Sequence, residues 1–382
     1  MKKLVLVSLA VWTACSAGPK PAPAVTPAPP PPPVASVAPP PPAPLPPSDA
    51  DVRVKQLEAL LAEHWEYVLQ RSPEMASSLG DKRYNDKWSD RSPEAVAADL
   101  AASRAFLTRF EAISTDGFSA QQRLDHRITV RQLKERLDNA KFEEWLMPVN
   151  QFAGVHLRLP QLVTQLQFQT VKDYEDYLAR LTAVPVVFDQ TIAAMQQGVA
   201  KQLVPPRLLL EQCLSQTLTL AKAKPADSPF AGPIKKFPDG IAPADQARLR
   251  AAVLAAIKDK VLPAYAGFAT YLRTSYLAHG RKELGYWALP DGEARYAARI
   301  KEMTTTEMTA DEIHELGLRE VTRLEGEQTE VAKKLGFASL DAFRKHVRTD
   351  KALYAKSRES ILADYQTYTD KMYEKLPQLF GH

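Results

Sequence analysis

From Ser48 onward the apolar residues of this chain recur every three or four positions and almost nowhere alternate. Side chains three and four apart share one face of a helix, whereas a strand needs a period of two, so this pattern excludes a sheet. Residues 51–71 place Leu57, Leu60, Leu61, His64, Trp65, Val68 and Leu69 on one such face. Start signals accompany the pattern. Ser92-Pro93-Glu94 combines a capping serine, a proline in the first helical position and an early acid, and predicts a helix to about Ile113. Ser119 and Gln122 form a capping box for a helix to about Trp145. Two further helices are predicted over 171–184 and 186–203, divided at Pro185, and another begins after Pro205-Pro206. A long one over 244–279 should kink at Pro263. No Asn-Gly or Asp-Gly pair is flanked by the alternating apolar runs of a hairpin, and no repeat of fixed length suggests a solenoid. The predicted class is all-α, with many helices.

The first 48 residues obey a different rule. Residues 1–15 have Lys2 and Lys3 followed by an apolar run too short for a resident transmembrane helix, the pattern of a secretory signal peptide. It ends in Val11-Trp12-Thr13-Ala14-Cys15, which resembles a bacterial lipobox with Trp12 where leucine is usual. Cys15 is therefore the expected lipidation site, with ordinary cleavage nearby as the alternative. Residues 16–48 are a linker, with runs such as PAPPPPP and APPPPAPLPP, and about half of the 31 prolines lie there. Such a tract lacks backbone donors and forms an extended spacer of roughly 3.1 Å per residue where polyproline II holds. A helical domain over 49–382, tethered to a membrane through lipid, is the expected organisation. Ser16 after the cysteine favours an outer-membrane lipoprotein facing the periplasm or the surface, by resemblance to other lipoproteins.

Charge and motifs narrow the function. The formal net charge is +4 over 382 residues, with both signs interleaved, so no basic stripe marks a nucleic-acid partner. Cys213 lies in the apolar pattern LLLEQCLSQ and reads as a core residue. The stretch EIHELGL, from Glu312, opens as a zinc-peptidase helix does, but position 318 is leucine where a second histidine would stand one turn on. The other histidines (64, 126, 156, 279, 346 and 382) form no pair at helical spacing. Thr309 and Glu312 make a capping box that starts this helix, and Gly336 marks its end. Gly317 in its middle costs roughly 1 kcal/mol against alanine, so a neighbour is expected to come close there. Phosphate loops, nucleophile elbows and dinucleotide fingerprints are all missing.

Longer stretches resemble the bacterial family called domain of unknown function 885. They are SPEMASSLGDKRYNDKWSDRSPEAVAAD from Ser72, LMPVNQFAGVHLRLPQL from Leu146, TVKDYEDYLARL from Thr170, SPFAGPIKKFP from Ser228, and ALPDGEARYAARIKEMTTTEMTADEIHELGLREVTRLEGE from Ala288, with the ending LPQLFG. The likeness runs in order over nearly all of residues 50–382. It implies a mostly helical zinc metallopeptidase whose metal motif, His-Glu-x-x-Pro-Gly-His, follows the region seen here. Zinc is expected in intact members, whereas this chain carries no catalytic residue or metal ligand to transfer. The chain is thus expected to be the substrate-side N-terminal part of such a hydrolase, inactive alone, with the C-terminal catalytic part as partner and a peptide-like substrate. The alternative is a non-catalytic helical binding module on a lipoprotein tether.

Loops that put polar groups beside glycine let a peptide backbone approach, so NQFAGVH (Asn150, His156) and LPDGEARY (Asp291, Tyr296) are candidate substrate contacts, as is His314. Each has a plainer alternative: a cap at Asn150, a turn at Asp291-Gly292, and the flank of an apolar stripe for His314. Finally, Tyr365, Tyr368, Met372, Leu376, Leu379 and Phe380 predict an exposed apolar surface near the end of the sequence, with a helix stopping at Pro377.

Overall fold

The computed structural model describes residues 48–380, and among them every regular element is helical. The signal, lipidation and linker assignments, together with Gly381 and His382, lie outside the described residues.

A first layer joins α1 (Asp49–Arg71), α3 (Pro93–Glu111) and α4 (Ala120–Asn139), with the short α2 (Pro73–Ser78) between the first two. Each long helix begins where the sequence places a cap: Ser48 with Asp51 and Ser119 with Gln122 form full capping boxes, and Ser92 accepts from the Ala95 amide. Their shared interior is Leu57, Leu60, Phe106, Phe110, Phe118 and Leu133. His64 packs edge-on against Phe106 at 4.9 Å, while Trp65 remains half exposed. Helix α4 stops at Asn139, short of the predicted Trp145, and two tight turns separated by the left-handed Glu143 (φ 48°) follow it.

The main core is built from α5 (Val155–Val163), α6 (Val171–Ala200), α7 (Arg207–Ala221), the one-turn α8 (Gly232–Lys235), α9 (Pro243–Ala256) and α10 (Leu262–Thr274). Proline behaves here otherwise than its local rule suggests. Helix α6 runs unbroken through Pro185, where two helices are predicted. An interior proline costs about 3 kcal/mol. Around it Tyr174, Tyr177, Leu181, Val184, Val187, Phe188 and Met195 are all buried, each contributing about 1.5–3 kcal/mol, so burial wins. Although α6 is long and apolar enough to cross a bilayer, it forms the spine of this core. Before Pro263 the chain widens into a π-helical turn, Ile257–Val261, in which the Leu262 amide reaches back five residues to the Ile257 carbonyl. That wider turn absorbs the break expected at Pro263. In α5, Pro160 has no amide to offer the His156 carbonyl, and the buried Tyr265 hydroxyl donates to that carbonyl instead, at 3.0 Å.

Helices α11 (Gly292–Thr304), α12 (Ala310–Lys334), α13 (Leu340–Thr349) and α14 (Arg358–Phe380) follow. Thr309 and Glu312 form the predicted capping box, and Gly336 adopts φ 84° just past α12. Ala332 is the sole buried residue of α12, and α13 and α14 have none. Two expectations fail here. Nothing lies within 4 Å of a side chain at Gly317, and α14 continues through Pro377 to Phe380. An exposed helix loses little by solvating the carbonyl that a proline leaves free, so Pro377 need not end it. Tyr365, Tyr368, Met372, Leu379 and Phe380 are exposed as expected, whereas Leu376 is partly covered.

Candidate functional site

The segment from Ser72 to Arg91 is fastened to α6 by one buried cation. Arg180 has no exposed surface. Its guanidinium donates to the Lys87 carbonyl at 2.8 Å, the Ser77 hydroxyl at 2.8 Å, the Tyr84 carbonyl at 3.1 Å and the Pro73 carbonyl at 3.2 Å. The Trp88 ring lies 5.2 Å from it, and the Trp88 indole donates back to the Arg180 carbonyl. Burial lowers the Arg180 pKa to about 10. A second tie runs from Lys82 to Asp173 at 2.8 Å, where Asp173 also accepts from the Gln169 and Thr170 amides. The irregular stretch SLGDKRYNDKW thus acquires a fixed shape from α6.

The NQFAGVH loop is held from beneath. The Asn150 side chain accepts from the Phe152 and Ala153 amides, the chain-reversal role. Gly154 adopts φ 145°, and a Cβ there would stand 2.9 Å from both His156 Nδ1 and Val149 Cγ1, so only glycine fits. His156 is fully buried. Gln216 gives its amide to the Gln151 carbonyl at 3.1 Å, which leaves its oxygen to accept from His156 Nε2 at 3.0 Å. Nδ1 then has no partner. Burial lowers the His156 pKa against the opposing Gln216 bond, because a proton on Nδ1 would find no acceptor. His156 is therefore a neutral post under the loop rather than a substrate contact, and Phe152 at the tip is 86% exposed.

The LPDGEARY loop has a different anchor from those expected. Asp291 is left-handed (φ 55°) and makes no cap bond, and Tyr296 is half exposed. The buried member is Arg295, which donates to the Pro290 carbonyl at 2.7 Å and to Glu144 at 2.9 Å, over the Phe142 ring. The Tyr286 hydroxyl donates to the same Glu144 oxygen at 2.6 Å, and burial together with that carboxylate pushes its pKa up to about 12. Gly198 lets this corner close: a Cβ there would lie 2.4 Å from the Leu146 carbonyl oxygen.

A cleft of about 850 Å³ brings parts of these regions together. Asn150, Ala153 and Glu144 line it, beside Asp99, which pairs with Arg136 and, at 3.8 Å, with Arg71. His156, Asp291, Tyr296 and His314 are not on its wall, and His314 is exposed on α12. Arg91 and Arg158 line it too, and neither belongs to a motif in the sequence. Their only signal there is local: Arg158 shares a helical face with Val155, Leu159 and Leu162.

A bacterial family of unknown function, DUF885, matches residues 73–382. The chain belongs to this family. A crystal structure of a candidate lipoprotein from Colwellia psychrerythraea has the same fold, with a TM-score of 0.78 at 20% identity over 86% of this chain. The chain spans 60% of that protein's length. No curated protein matches it in sequence.

Among the described residues of this DUF885 chain no group of three or more His, Cys, Asp or Glu is placed to hold a metal ion. Cys213 is buried within the core, where desolvation raises its thiol to about 12, which suits packing and not nucleophilic attack.

Proposed function

We propose that this chain is the substrate-side portion of a cell-envelope, zinc-peptidase-like hydrolase, inactive alone and completed by a further catalytic part. The observation that carries this reading is the uncovered face of α12. Ile313, Gly317, Val321, Leu324, Val331 and Leu335 fall within one narrow helical stripe, and Val321, Leu324, Val331 and Leu335 are each about half exposed. Gly317 leaves a notch in that stripe with open space before it. Covering the exposed half of each such side chain contributes about 0.8–1.5 kcal/mol, which a covering domain would recover. The greater length of the Colwellia protein is consistent with such a domain. The zinc and its ligands would belong to that part, and a peptide-like substrate would meet this chain along the cleft beside Asn150. The envelope location rests on the lipobox-like Cys15 and on the candidate-lipoprotein character of the Colwellia relative. A pocket complete within residues 72–187 favours the second reading, a tethered binding module that needs no catalytic part.

Sedimentation velocity and hydrophobic-dye binding on the full chain test the first reading. It expects self-association and dye binding, both abolished by replacing Val321, Leu324 and Val331 with lysine while unfolding stays cooperative. A monodisperse monomer that binds no dye would overturn it.

A further inference from the structure

Where α2, α5 and the segment leading into α3 meet, they enclose a second pocket of about 440 Å³. Its floor is apolar: Met75, Trp88, Leu159, Leu162 and Val187. Arg158 rises from that floor, since residues 155, 158, 159 and 162 recur at helical spacing and all line the pocket. Arg91, one residue before the Ser92 cap, lines the pocket from the segment that leads into α3. Both arginines also line the larger cleft, so they stand where the two spaces join.

Neither is paired at contact distance. Four other arginines of the cleft each have a carboxylate within 4 Å, namely Arg71, Arg131, Arg136 and Arg299. Among the described residues Arg91 and Arg158 have none, and no side-chain hydrogen bond of theirs occupies either guanidinium. Glu74, which also lines the pocket, keeps its charge but accepts from the Ser89 amide and hydroxyl and lies beyond 4 Å of both guanidiniums. Both side chains are exposed to solvent, yet desolvation at the pocket wall depresses the Arg91 pKa, Glu74 opposes this, and the Arg158 and Arg71 cations add to the depression. Two like charges held together above an apolar floor repel until an anion joins them. An inorganic anion would satisfy the charges and leave the floor wet. An organic anion satisfies both.

We propose that this pocket binds a carboxylate with an apolar body, the two guanidiniums taking the carboxylate and Met75, Trp88, Leu159 and Leu162 covering the body. Arginine suits the task because its planar fork matches a carboxylate. The C-terminal residue of a peptide has this chemistry, as does a free aryl or alkyl acid. The peptide source alone rests on the function proposed above.

Isothermal titration of the full chain with N-acetyl-phenylalanine and with its uncharged amide tests the proposal without any variant. The acid should bind at least about tenfold more tightly than the amide, a typical value for charge-assisted hydrogen bonds. Its affinity should fall by a similar factor in R91Q and in R158Q, whose melting should match the parent chain. Tighter binding of N-acetyl-phenylalanine than of 3-phenylpropionate supports the peptide end; equal binding supports an apolar carboxylate of any source. Equal binding of acid and amide, indifference to both substitutions, or equal competition by inorganic phosphate would each overturn the proposal. Neither outcome depends on hydrolysis or on self-association, so the function proposed above fails or stands separately.

Discussion

Replacing Arg180 with methionine should release the 72–91 segment from α6. The methionine fills much of the volume but donates nothing, and the three carbonyls it deserts differ in what they retain. Pro73 keeps the Ser77 hydroxyl at 2.9 Å, and Tyr84 keeps the Lys87 amide at 3.1 Å. The Lys87 carbonyl keeps no other protein donor, at a cost of up to about 1–3 kcal/mol where water does not replace the guanidinium. Loss of charged donors to the other acceptors and of the Trp88 ring contact adds to this, while the guanidinium no longer has to be desolvated. The net expectation is destabilisation of about 3–5 kcal/mol, comparable to removing one partner of a buried charged pair. A domain stable by about 5–15 kcal/mol would lose a large share of that. Arg180→Lys should fare little better, because one ammonium cannot serve several separate acceptors. Urea unfolding would read the change as a lower midpoint, and limited proteolysis should cut within residues 79–91 first. Arg83→Ala is the control, since Arg83 pairs with Glu66 and Asp81 on the exposed surface and should matter little. A loss below about 1 kcal/mol for Arg180→Met would refute the fastening role.

Burial holds His156 neutral in the folded chain, whereas the unfolded chain takes up a proton near the ordinary value of 6.5. Stability from this site is therefore present above that pH and lost as pH falls below it, so melting should drop between pH 7.5 and 5.5, less steeply in H156Q. His64 is shifted the same way by burial and by Arg136 and should leave a residual slope; a flat profile would contradict both. At the other end of the sequence, Cys15→Ser should move the protein from the membrane to the soluble fraction, and an unchanged distribution would rule out lipid attachment there.

The helices and their starts were legible because they depend on neighbours three or four residues apart. Ser92, Ser119 and Thr309 all cap as their spacing indicates. Proline was misread for the same local reason: whether Pro185 breaks a helix depends on how much apolar surface its neighbours bury, and whether Pro160 is tolerated depends on Tyr265, more than a hundred residues away. The two loops are legible as glycine-bearing turns, but the residues that hold them in place are not. Nothing in LPDGEARY marks Arg295 over Tyr296 until Glu144 is beside it. Among 49 lysines and arginines, Arg180 looks like any surface cation until α2 and the turn after it close over α6 and shut out water. Arg91 and Arg158 become a pair only when α5 packs beside the start of α3. Local spacing specifies helices and caps; which charges are buried, matched or left waiting is decided by packing, because desolvation and pairing act between side chains that the chain order keeps far apart.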